Sequence, residues 1–271
     1  MKLLLISANV TLSPYPIYPL GVSMIAAALT RAGHEVRQAD LLLQHGSMEA
    51  IGREIEQFRP DLVGISVRNI DNVNFMNEQY YIQNVKNIVD KVREVSDVKV
   101  ILGGAGFSLI PDLILEETGA DYGVVGEGEV LIVEFANNAA KGIYPRERLI
   151  GSAERLSGEQ IKSALYDEQL LDFYLHSGNI ASIQTKRGCA YKCVYCTYPL
   201  LEGSELRRIY SRGFPEPPSR IDRVVPAGAV RSHAAHLRMK TNTRISASTA
   251  STARIRISSR IGLGFDFAAG G

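Results

Sequence analysis

Along residues 1–140, short apolar runs rich in β-branched residues alternate with stretches whose apolar positions recur at helical spacing. A first strand is predicted over residues 2–8. A Pro-rich loop with Pro14, Pro16 and Pro19 then leads into a helix in which Val22, Ile25 and Leu29 share one face, and Gly33 is the natural stop for that helix. Further strands are predicted over 34–39, 61–67, 98–102 and 121–125. Between them fall a helix over 48–58 and a long helix with Ile82, Val85, Val89 and Val92 in register, and a last helix starts near Glu129. Five β-α units in this span imply an α/β fold. The expected architecture is a flavodoxin-like, doubly wound parallel sheet, because right-handed crossovers place helices on both faces and bury the strands.

In such a sheet a ligand sits beyond the carboxyl ends of the strands, near the switch in strand order. The corresponding loops here are 9–19, 68–74, 103–106 and 126–129. The glycines of GGAG and GEGE let backbone amides come close to a ligand, and the helix that follows each loop adds partial positive charge. No GxGxxG follows the first strand, which argues against a dinucleotide site, and no Ser/Thr/Gly run is present there to cradle a flavin phosphate. A signalling receiver would place an acidic cluster at the same point, and Asn9 and Thr11 supply none.

The 271 residues are 45% hydrophobic and 22% charged, the balance of a soluble globular protein, with no apolar run long enough to span a bilayer and no signal-peptide pattern. The expected location is cytoplasmic. Net charge is +1, but residues 1–206 carry a balance of −8 and residues 207–271 one of +9. All three cysteines fall inside RGCAYKCVYC, after a strand-like run over 180–185. Cys189, Cys193 and Cys196, in CxxxCxxC, are too clustered for a disulfide framework and read as ligands. Soft, anionic thiolates bind iron or zinc, and three on one loop can hold three corners of a cubane cluster while leaving its fourth iron open. A closed zinc site would need a fourth Cys or His at similar spacing; His176 lies 13 residues before Cys189 and His233 far downstream. His34 and His45, at and after the second strand, read as solvated side chains.

The segments PLGVSMIAAALTRAGHEV, PDLVGISVRNIDN, VKVILGGAGFS and DYGVVGEGE, in that order, resemble the cobalamin-binding domain that precedes the core of many radical S-adenosylmethionine proteins. That resemblance covers residues 1–140 and implies cobalamin contacts from Arg68, Asn69, Gly103, Gly104, Gly126, Glu127 and Gly128. The chain lacks a DxHxxG motif, so the resemblance implies no protein histidine on the lower face of cobalt. The cysteine loop resembles that of the same family, in which a 4Fe-4S cluster binds S-adenosylmethionine at its open iron to generate a 5′-deoxyadenosyl radical. Tyr195, just before the third cysteine, would then lie on the adenine side. Also implied are an electron donor such as a flavodoxin or ferredoxin, a small-molecule or lipid-like substrate, and a reaction of the radical methylation, cyclisation or methylthiolation class.

Residues 141–178 read as a connector in which Tyr166, Leu171 and Tyr174 pack against one of the modules. Residues 179–206 read as the start of a partial (β/α) barrel, whose completion would take well over ~100 further residues. Residues 207–271 show neither alternating strands and helices nor a Gly-Gly-Glu-like segment; Lys:Arg falls from 8:10 before this point to 1:11 after it. Such a segment buries no core. It reads either as a basic tail attracted to nucleic acid or as a frameshift near Leu206, and the composition favours the second. A non-catalytic cobalamin-binding module is the alternative to an enzyme.

Overall fold

The alternation of apolar residues along each strand sets the architecture, because neighbouring side chains on a strand point to opposite faces of the sheet. In a computed structural model, residues 1–209 are described, except 14, 73, 75, 179 and 181. Five parallel strands, β1 (Lys2–Ser7), β2 (Glu35–Asp40), β3 (Leu62–Ser66), β4 (Lys99–Gly103) and β5 (Tyr122–Val125), follow the sequence pattern closely. They alternate with helices α1 (Leu20–Arg31), α2 (Met48–Phe58), α3 (Ile82–Val95), α4 (Pro111–Thr118) and α5 (Glu129–Ala139). A sixth strand, β6 (Leu149–Gly151), pairs in parallel with β5. The strand order is β2-β1-β3-β4-β5-β6, so the winding direction reverses between β1 and β3.

Leu4, Ile6, Val63, Ile65, Val100 and Leu102 face Ile51, Ile55, Val85, Ile88 and Val92 of α2 and α3. On the other face, Leu3, Leu5, Leu62, Ile101 and Val124 meet Val22, Ala26 and Leu29 of α1 and Ile132, Phe135 and Ala136 of α5. Local signals end the helices as their chemistry demands. Ser47 accepts a hydrogen bond from the Ala50 amide at the start of α2, and Gly33, at φ +87°, follows the end of α1.

Three departures from the sequence pattern have physical causes. The segment between β4 and β5 forms a short 3-10 turn (Phe107–Leu109) and α4, where Leu113, Ile114 and Leu115 run consecutively and give no helical period. β6 is three residues long, too short to show alternation, and it lies inside the expected connector. His34, expected to be solvated, is buried at 9% exposure, and that burial lowers its pKa. His45 is exposed as expected.

The rest of the connector docks onto the sheet and its helices through α6 (Glu168–Gly178). Leu170, Leu171, Tyr174 and Leu175 are buried. The Tyr174 hydroxyl donates to both oxygens of Asp40 at 3.2 and 3.1 Å, and the Asp167 amide donates to the Tyr18 hydroxyl at 3.2 Å. Tyr166 and Tyr174 flank the Tyr18 ring at centroid distances of 5.3 and 5.7 Å. Downstream, the described residues of the expected strand over 180–185 are not in a strand. A two-residue strand β7 (Lys186–Arg187) pairs antiparallel with β8 (Arg207–Arg208), and α7 (Tyr198–Glu202) lies between them. The boundary expected at Leu206 therefore falls inside a hairpin, and Arg207 and Arg208 belong to folded structure. Residues 210–271 of the expected basic tail lie outside the described residues. No helix among the described residues is long and apolar enough to cross a membrane.

Candidate functional site

Parallel strands deliver all their following loops to one edge of the sheet, so residues far apart in sequence meet there. Val67 donates its amide to Gly103 at 2.8 Å, and Gly106 donates to Val67 at 2.9 Å, which seats the GGAG loop directly on the loop after β3. That contact needs glycine: at Gly104 the backbone has φ +104°, and a Cβ would stand 2.6 Å from the Val67 carbonyl oxygen. Ser108, which the sequence pattern did not single out, joins two of the expected loops. Its hydroxyl donates to the Gly104 carbonyl and accepts from the Gly126 amide, both at 2.9 Å. Gly126 is exposed at φ +84°, with open space where a Cβ would be.

Around this floor stand the other predicted contacts. Arg68 follows β3 with its side chain exposed and carries no carboxylate partner among the described residues; partial desolvation lowers its pKa, while Tyr174 and Tyr15 nearby oppose the shift. Asn69 and Gly103 are half-buried beside it. The Asn9 side-chain Nδ2, at the end of β1, is buried without a hydrogen-bond partner among the described residues. A cavity of about 190 Å³ opens over the ends of β4, β5 and β6, lined by Ser108, Gly126, Glu127, Gly151, Arg155 and Leu200 among others.

Glu127 behaves differently from its glycine neighbours. Its side chain is only 8% exposed, and its Oε2 accepts from the Leu156 amide at 2.8 Å and from one terminal nitrogen of Arg207 at 2.9 Å, while Oε1 forms an ion pair at 2.6 Å with the other Arg207 nitrogen and has no hydrogen-bond donor among the described residues. Burial opposes its ionisation, but the Arg207 hydrogen bond, the Leu156 amide and the Arg187 charge outweigh that and hold its pKa below the usual carboxylate value. Gly128 starts α5 with Ile25 of α1 packed 3.2 Å from where its Cβ would stand.

The cysteine loop hangs from the β7–β8 hairpin. The Gly188 amide donates to Glu202 at 3.0 Å, the Cys189 amide to the Gly203 carbonyl at 3.1 Å and the Cys196 amide to the Cys193 carbonyl at 3.1 Å. Cys189 and Cys196 are half-buried and Cys193 is exposed, as is Tyr195 at 87%. The donor types suit an iron-sulfur cluster, yet among the described residues no three Cys, His, Asp or Glu side chains are gathered closely enough to hold a metal. The fold thus brings the predicted glycine loops together and leaves the three thiols on one loop but apart.

The B12 binding domain family matches residues 6–136. A tryptophan 2-C-methyltransferase of Streptomyces laurentii is 25% identical over 71% of this chain and 43% of its own length. The radical S-adenosylmethionine methyltransferase TsrM of Kitasatospora setae, solved with tryptophan and an S-adenosylmethionine analogue, superposes with a TM-score of 0.66 at 26% identity, over 77% of this chain and 43% of its own. The cobalamin-dependent radical enzyme OxsB shares the fold at a TM-score of 0.60 and 15% identity, over 77% of this chain and 30% of its own. The chain spans less than half the length of the curated relatives it matches. With its flavodoxin-like six-stranded sheet, the chain matches the B12 binding domain family over residues 6–136 and resembles the cobalamin-dependent radical S-adenosylmethionine proteins.

Proposed function

We propose that the chain binds cobalamin over the carboxyl ends of β1, β3, β4 and β5 and forms the cofactor-binding part of a cobalamin-dependent radical S-adenosylmethionine methyltransferase. The observation that carries this reading is the glycine floor: Gly104, Ser108 and Gly126 are clasped together with an open face above Gly126, and the loop after β3 on which the GGAG loop is seated carries the Arg68 guanidinium, which has no anionic partner among the described residues. A flat, amide-rich macrocycle with polar side arms suits such a surface. Gly103, Gly104, Gly126 and Gly128 would keep the backbone low beneath it, Arg68 and Asn69 would meet its polar edge, and Ser108 would hold the two glycine loops in register.

Cobalamin would supply a methyl-carrying cobalt centre, and a cluster with S-adenosylmethionine a source of the 5′-deoxyadenosyl radical. Cys189, Cys193 and Cys196 are the proposed cluster ligands on the strength of their spacing and of the relatives, and Tyr195 the proposed adenine neighbour. Their sulfurs are not gathered here, so no chemical step is derived through them. The reading includes a one-electron donor of the flavodoxin or ferredoxin type, with radical methylation favoured over cyclisation or methylthiolation by the methyltransferases among the relatives.

The test is direct. Full-length protein is incubated with hydroxocobalamin and passed over a desalting column, and the absorbance of the protein fraction is read. About one cobalamin per chain is expected, as a single preformed site requires. Substituting Gly126→Val, which fills the open face, should sharply reduce that retention while the far-UV circular dichroism stays as in the wild type. Wild-type protein that emerges colourless overturns the reading.

A further inference from the structure

Arg187 and Arg207 sit on facing strands of the hairpin that carries the cysteine loop, and both side chains are buried, at 8% and 9% exposure. Both reach the loop after β5. Arg187 pairs with Glu129 and lies 3.6 Å from Glu127, and Arg207 donates one hydrogen bond to Glu127 at 2.9 Å and lies 2.6 Å from its other oxygen as an ion pair. The remaining donors are spent on the same surroundings. Arg187 donates to Gln184 at 3.0 Å and to the Met24 sulfur at 3.4 Å; Arg207 donates to the carbonyls of Leu156 and Glu202, each at 2.6 Å. Two cations thus meet the two carboxylates of the β5 loop among side chains that are largely buried, with the Glu202 carboxylate also acting on Arg187.

Such a cluster is a poor source of stability, since apolar side chains of similar volume hold a core at least as well once desolvation is counted. Its directional bonds do something apolar packing does not: they fix one geometry and leave a charge stranded in every other. Here the fixed geometry is that of Gly188 and Cys189 relative to Gly126 and Gly128, which flank Glu127 on both sides. We propose that Glu127, Glu129, Arg187 and Arg207 form a buried ionic latch that positions the cysteine loop against the β5 loop, so that a corrin resting on that loop restrains the cysteine loop in turn. The corrin half of this statement rests on the cobalamin reading above. Arg187 and Arg207 are positioning residues in it, acting through Glu127 and Glu129. Because linkage is reciprocal, whatever orders the cysteine loop also tightens the β5 loop.

The readout is the alkylation rate of Cys189 by iodoacetamide, followed by mass spectrometry on full-length protein with and without hydroxocobalamin, whose uptake is read separately by absorbance. In wild-type protein, cobalamin should slow alkylation of Cys189 by about fivefold, at the lower end of typical coupling. Without cobalamin, Arg187→Met and the milder Glu129→Gln should both alkylate about fivefold or more faster than wild type. Cobalamin should no longer change their rates, although Arg187→Met still takes it up. Glu129→Gln removes one charge and no volume, so it keeps the comparison valid where Arg187→Met fails to fold. Equal ligand-free rates in wild type and variants overturn the latch, as does a cobalamin effect that survives in the variants. Wild-type protein that takes up no cobalamin overturns the cobalamin reading and the corrin half of the latch with it; the ligand-free rates then decide the positioning of the loop alone.

Discussion

Gly104 and Gly126 share a positive φ, yet the structure gives them different tasks and therefore different sensitivities. At Gly104 a side chain would meet both an unfavourable backbone region and the Val67 carbonyl at 2.6 Å, so Gly104→Ala should cost on the order of 3 kcal/mol or more. At Gly126 space is open and only the left-handed backbone is penalised, so Gly126→Ala should cost about 1–2 kcal/mol. Urea denaturation of the two variants checks the order; equal midpoints would remove the steric argument. Two buried carboxylates make opposite predictions about pH. Glu127 is held below its usual pKa and contributes stability that is complete above the unfolded value and lost as pH falls through the folded one. Asp40 is raised, chiefly by burial, with the Leu43 amide and the Ser7 and Tyr174 hydroxyls opposing, so its contribution declines as pH rises from the unfolded value through the raised folded one. Denaturation across a pH series should show Glu127→Gln losing the acid-side decline and Asp40→Asn losing the decline above the ordinary carboxylate range. For Glu127 the family resemblance implied a ligand contact, and nothing local in the sequence showed the arginines it meets; Asp40 carried no signal of its own.

At the scale of elements, the docking of α6 depends on a few polar contacts among tyrosines. Tyr174 is fully buried, and its hydroxyl is a side-chain donor to the buried Asp40 carboxylate. Tyr174→Phe leaves that carboxylate short of a donor and should destabilise the protein by about 1–3 kcal/mol at neutral pH. It also removes a bond to the charged form, which raises the Asp40 pKa further, so the loss should shrink on acidification. A loss that is the same at every pH would show that packing of the ring, not the hydroxyl, sets the cost. The elements that the pattern foretold are those with long, clean periods, such as α2, with Ile51, Ile55 and Phe58 buried, and α3, with Val85, Ile88 and Val92. Those without a clear period of their own are short and lean on their neighbours: Phe107, in the 3-10 turn before α4, and Leu149 of β6 both press on Gly123 of β5. Among the described residues of the stretch expected as a strand over 180–185, none is paired in a sheet, and pairing begins at Lys186 with β8.

For the whole molecule, the three thiols take no part in the packing that builds the glycine floor. The sheet and its two cores involve no cysteine, and the loop hangs outside them on one short hairpin. Replacing Cys189, Cys193 and Cys196 by alanine should therefore abolish iron retention after anaerobic reconstitution while hydroxocobalamin uptake and the unfolding midpoint stay unchanged. Iron content by colorimetric assay and cobalamin by absorbance check this in one preparation, and iron retained by the triple variant would remove these thiols from the cluster.

Local period and local spacing were enough to specify parallel β-α units, buried strands between two layers of helices, glycine loops gathered at one edge, and three thiols on one loop. These are properties of neighbours in the chain, set by the alternation of side chains and the reach of a few residues. Which charges and hydroxyls meet across the fold was settled by tertiary structure alone. Arg207 reaches Glu127 over 80 residues, and Tyr174 reaches Asp40 over 134. No local pattern encodes such pairs, because their energy arises from burying complementary groups together, and that depends on the whole fold having first brought the two surfaces into contact.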